Sequence, residues 1–197
     1  ALSENGAPAI NVLADVVMHP TFPQQEVELE RTRVLSALQV ALSQPATIAA
    51  RIFDREIYGD HPYGASPTPA SIRAITRDDV VRLYAERVKP AGALLVIAGD
   101  VNPDAVRQLA EQALAGWTGQ PAAAPAAAAI PTRARTEIVL VHKPGATQSN
   151  VVAGFPFIAP TDPALYPLTV MNRVLGGGAD SRLFMILREQ KGWTYGA

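Results

Sequence analysis

The sequence predicts an α+β protein, with helices packed on mixed or antiparallel sheets. Three observations carry that expectation. Long stretches repeat apolar side chains at helical spacing, as in Val27, Val34, Leu38 and Ala41. Three short runs, 93–98, 137–142 and 148–154, have the length and apolar character of strands. The two kinds of segment follow one another as helices, strand, helix, linker, two strands, two helices and an incipient strand, an order that lets helices cover sheet faces.

The elements follow from local chemistry. Ile10, Leu13 and Val17 give residues 7–18 one apolar face, and His19-Pro20 ends that helix because the residue before a proline avoids the α region. Thr21-Phe22-Pro23 opens a long second helix, with proline suited to the first turn and Glu26, Glu28 and Glu30 at the positive end of its dipole. Pro45 marks the next boundary and a third helix runs over 46–58, offering Ile48, Phe53 and Ile57 to a core. Residues 59–69 form a loop by composition. Short helices follow at 70–75 and at 77–87, the latter capped by Thr76. After Pro90 the run 93–98 reads as a buried strand, and Pro103 starts a helix to about residue 115 with Val106, Leu109, Ala110 and Leu114 inward.

Residues 118–133 are rich in Ala and Pro with no periodic apolar face, which predicts a linker. The expected domains are therefore 1–117 and 134–197. Runs 137–142 and 148–154 read as strands around a Lys143-Pro144-Gly145 turn. Asp162-Pro163 is expected to cap a helix carrying Leu165, Leu168, Val170, Met171 and Leu175, ended by Gly176-Gly177-Gly178. Ser181 begins a last helix to about Lys191, stopped by Gly192. Neither end carries an initiator Met, a signal peptide or a natural stop, so the chain is expected to be a piece of a longer protein, truncated at both ends.

Composition narrows function. The 197 residues are 48% hydrophobic, enough for a core, and 17 basic against 18 acidic side chains give a net charge of −1, with no global pull toward nucleic acid. With no cysteine, disulfides, thiolate-bound zinc, iron–sulfur clusters and thiol catalysis are excluded. No apolar run approaches the ~18 residues of a membrane helix. His19, His61 and His142 share no i,i+3 or i,i+4 spacing, so no zinc-binding helix motif is present. The triple glycine lacks the lysine and the spacing of a phosphate-binding loop and reads as a helix stop. No serine sits in a nucleophile elbow. Arg188 and Tyr195 stand out, because a helix, a glycine turn and a strand can bring a guanidinium and a phenol to one peptide carbonyl or developing oxyanion. A helix-end cation beside a strand aromatic is the simpler reading of the same two residues.

The segment from Ser181-Arg182-Leu183-Phe184 through Leu187-Arg188-Glu189 to Gly192-Trp193-Thr194-Tyr195 resembles the pitrilysin/insulinase family of zinc peptidases, which includes the mitochondrial processing peptidase and its bacterial relatives. Pro20-Thr21-Phe22 with Glu30-Arg31, the Tyr58-Gly59-Asp60-His61-Pro62-Tyr63-Gly64 loop, Lys89-Pro90 and Ile97-Ala98-Gly99-Asp100-Val101 agree with the family as well. The resemblance implies a two-domain metallopeptidase-like repeat. It also implies zinc in the complete assembly, but the H-x-x-E-H motif is not in this sequence and Ala37 stands at the third-ligand position, where alanine offers no donor. The expected role is thus the zinc-less half, inactive alone, which lends chamber wall and the substrate-positioning pair Arg188 and Tyr195 to a catalytic half. Its expected partners are a peptide substrate and a zinc-bearing half or subunit, with a dimer as the assembly and the bacterial periplasm or cytoplasm as its place. The rival is a non-proteolytic scaffold or binding module of the same fold.

Overall fold

The structure, a computed structural model, describes residues 2–196. Helices form where the local signals place them. α1 (Gly6–Met18) ends at His19, whose N–H returns to Asp15 O. α2 (Gln24–Ser43) starts after Pro23, whose φ of −57° suits a helix entrance, with Glu26 in the first turn. α3 (Pro45–Tyr58) takes Pro45 into its first turn, where the missing N–H costs nothing. α4 (Pro69–Ala74) and α5 (Arg77–Arg87) each begin with a reciprocal capping box, Thr68 with Ser71 and Thr76 with Asp79. α6 (Pro103–Ala113) is capped by Asn102, whose side-chain oxygen accepts from the N–H groups of Asp104 and Ala105. α7 (Leu165–Gly176) is capped by Ala164 rather than by Asp162-Pro163, and Asp162 accepts from the Ala164 N–H at 2.8 Å. The last helix is a single α turn, α8 (Arg182–Phe184), capped by Ser181 and continued as a π-helical turn over Met185–Gln190.

The expectation of an α+β fold with sheets is wrong for this structure. Among the described residues there is no strand; the chain is helical with extended connections. The runs 93–98, 137–142 and 148–154 are non-helical, but no ladder forms on them. The reason is that a strand is a property of a pair. Extended conformation is set by local side-chain preference, whereas the hydrogen bonds that define a sheet must come from elsewhere in the chain. Their side chains are correspondingly open: Leu94, Ile138 and Leu140 are 86%, 91% and 92% exposed.

Two compact units divide the chain, Ala1–Val152 and Ala153–Ala197. In the first, α2 packs on α3 and α4, α1 on α6, and α3 on the 3-10 turn Pro62–Gly64. Ile10 and Ala14 of α1, Leu38 of α2, Ile57 of α3 and Ile72 of α4 are its buried apolar side chains. Leu13, on the same predicted stripe as Ile10, stays largely exposed.

Polar clasps supplement this small core. The Arg31 guanidinium on α2 donates to the carbonyls of Ile72 and Arg73 at 2.8 and 3.0 Å, satisfying the end of α4. Arg77 at the start of α5 donates to Phe22 O and Thr21 O, and the Tyr84 hydroxyl donates to Val17 O at 2.6 Å. Phe22 has a φ of +43°, unusual for a residue with a Cβ, and these contacts together with an edge-on Tyr84 ring at 5.5 Å hold it there. Stretch 118–133 carries no helix and lies along the same unit, with Arg87 donating to Ala122 O and Ala123 O and Arg133 paired with Glu56. In the second unit α7 packs against α8.

Candidate functional site

Ser181 is the one buried polar side chain among the described residues, and its hydroxyl accepts from the Phe184 N–H to start the turn that carries the candidate residues. From Met185 the helix widens, so that the Lys191 N–H reaches back five residues to Ile186 O. Such π turns are rare, cost hydrogen-bond geometry, and recur at functional sites. Gly192, at φ +63°, then turns the chain through the left-handed region that a Cβ disfavours, and the Trp193 N–H returns to Leu187 O at 2.9 Å.

This geometry sets out four side chains. Arg188 lies near the end of the π turn with its guanidinium carbon 4.7 Å from the centre of the Phe184 ring. Its only carboxylate neighbour among the described residues is Glu189, 3.7 Å from Nε and beyond hydrogen-bond reach, and the side chain is 45% exposed. A guanidinium resting on an aromatic face keeps its edge N–H donors pointing away from the ring, ready for a planar acceptor. Lys191 ends the turn with its ammonium 5.6 Å from the centre of the Trp193 ring. Tyr195 lies at a bend beyond Gly192, flanked by hydrogen bonds between the Thr194 hydroxyl and Gly196, and is 86% exposed. No hydrogen bond joins Arg188 to Tyr195 among the described residues, and each is open to an incoming group. Arg188 and Tyr195 were singled out in the sequence; the Lys191–Trp193 contact was not. Its only sequence signal is a lysine two residues before a tryptophan across a glycine, which becomes a contact only through the left-handed turn.

The other candidates are accounted for structurally. His19 pairs with Asp15 at 3.1 Å, and His61 Nδ1 accepts the Tyr63 N–H within an aromatic cluster with Tyr58. His142 lies in the exposed run 137–142. Ala37 is exposed on α2. Among the described residues no group of three or more metal-binding side chains converges, so the donors present do not fit a zinc ion. No described helix is long and apolar enough to cross a membrane. A cleft of about 510 Å³ lies between α3 and residues 64–68, but its two arginines are engaged, Arg51 with Pro67 O and Arg55 with Gly59 O and Asp60. The two displaced carboxyl groups also do structural work: hydrogen bonds from Thr76 hold Asp79 down to about 2, and a hydrogen bond from Arg31 lowers Glu28.

The family model described as peptidase M16 inactive domain matches residues 74–197. An uncharacterized zinc protease of Streptomyces coelicolor is 29% identical over 194 residues, covering 95% of this chain and 42% of that protein. The uncharacterized zinc protease YmxG of Bacillus subtilis is 26% identical over 98% of this chain and 47% of its own length. The crystal structure of a peptidase M16 inactive domain from Pseudomonas fluorescens superposes with a TM-score of 0.71 at 25% identity, covering 99% of this chain and 47% of that one. The chain therefore spans less than half the length of the curated relatives it matches.

Proposed function

The chain belongs to the peptidase M16 inactive-domain family, and from that premise we propose that it serves peptide-bond hydrolysis as a non-catalytic half. It would position the substrate for a zinc-bearing half or subunit. The observation that carries this reading is Arg188: a half-exposed guanidinium, laid on Phe184 by a π turn, with Glu189 3.7 Å away and not hydrogen-bonded to it. A peptide carbonyl offers the planar acceptor that such a fork recognises, and the negative charge that develops on its oxygen during attack strengthens the bond. Tyr195 supplies a second donor, a phenol O–H, from the exposed bend beyond Gly192. These residues bind and orient; the activation of water belongs to the partner, where zinc would supply it.

A scaffold without proteolysis is the second reading, favoured by Ala37 and by the lack of a converging donor group among the described residues. Native purification of the full-length protein separates the two. Zinc and peptide-cleaving activity are expected to co-elute with it. Elution of the protein with neither would overturn the proposed function and leave the scaffold.

A further inference from the structure

We propose that Lys191 and Trp193 form a contact site for an acidic side chain, Asp or Glu, of a bound peptide. This deepens the proposed function and rests on it for the identity of the ligand as a peptide. Between Ser181 and Gly196 the sequence carries three cations, Arg182, Arg188 and Lys191, against the single carboxylate of Glu189. That carboxylate leans toward Arg188, and Lys191 has no ion-pair partner among the described residues. The Lys191 ammonium instead lies 5.6 Å from the centre of the Trp193 ring, and the indole is 75% exposed.

An ammonium over an indole is attracted by the ring quadrupole, which limits the sweep of a side chain that otherwise wanders. The result is a charged head fixed beside an apolar plate. A glutamate or aspartate fits both parts: its carboxylate reaches the ammonium while its methylene stem lies on the indole. A basic side chain meets like charge, and a neutral one gains only the plate. Trp193 and Tyr195 are two positions apart and both open, at 75% and 86% exposed, so contacts to a substrate side chain and to its backbone can come from one short segment.

The test uses the full-length protein and two labelled peptides with acetylated and amidated termini, identical except for a central Glu or Gln. Blocking the termini leaves the side chain as the only difference in charge. Binding is read by fluorescence anisotropy at low ionic strength. The Glu peptide should bind about threefold more tightly, the scale of one exposed ion pair, and the preference should fade at high salt. Lys191→Gln should abolish the preference and Lys191→Glu should reverse it, with unchanged helical circular dichroism in both variants. Equal affinity for the two peptides, binding of neither, or a preference that survives Lys191→Gln would overturn the proposal. Failure of the broader reading looks different: Arg188→Ala would leave peptide turnover unchanged while the charge preference persisted.

Discussion

Thr76 and Asp79 exchange three hydrogen bonds across one helical turn. The Thr76 N–H and hydroxyl donate to Asp79 at 2.9 and 2.7 Å, and the Asp79 N–H donates back to Thr76 at 3.1 Å. Those donors, with Arg82 at 2.6 Å, favour the charged carboxylate and hold Asp79 at about 2 against an ordinary 3.8. A folded value below the unfolded one gives stability that is full above pH ~4 and is lost as pH falls toward 2. Stability measured by denaturation across that window should fall with acid in the native sequence, and less so in Asp79→Asn. An identical pH slope in both would remove the carboxylate from the account.

At the scale of elements, Arg31 is the fastening with the widest reach. It is 16% exposed, pairs with Glu28 at 2.9 Å, and serves the last carbonyls of α4, about forty positions along the chain. Arg31→Ala should cost about 2 kcal/mol of unfolding free energy in a denaturant titration, because two carbonyls lose a charged donor. Arg31→Lys should recover little, since an ammonium lacks the planar fork that serves carbonyls and carboxylate together. Helix boundaries were legible where their causes lie within a few residues: Pro45 and Pro103 in first turns, Thr76 as a cap, Gly192 as a stop; the caps Thr68 and Asn102 came only from the structure. The runs 93–98, 137–142 and 148–154, read as strands, are non-helical but unpaired, which was not legible because pairing depends on chain far from the run itself. The π widening after Phe184 was not legible either, since a π turn uses the same helix-forming residues as an α turn. It decides where Arg188 and Lys191 sit, so the motif named Arg188 and Tyr195 while the Lys191–Trp193 contact emerged only from the fold.

For the molecule as a whole, few apolar side chains are buried and many are open, among them Leu94, Ile138 and Leu140 in the first unit and Phe155, Phe157 and Trp193 in the second. The central claim is the proposed one, that Arg188 positions a substrate for another part of an assembly. Peptide turnover by the assembly carrying Arg188→Ala tests that claim most directly. The account predicts a fall in kcat/KM of about a hundredfold, the usual loss when one preorganised donor to a developing oxyanion is removed. Turnover within about threefold of the native assembly, ~0.7 kcal/mol, would contradict it.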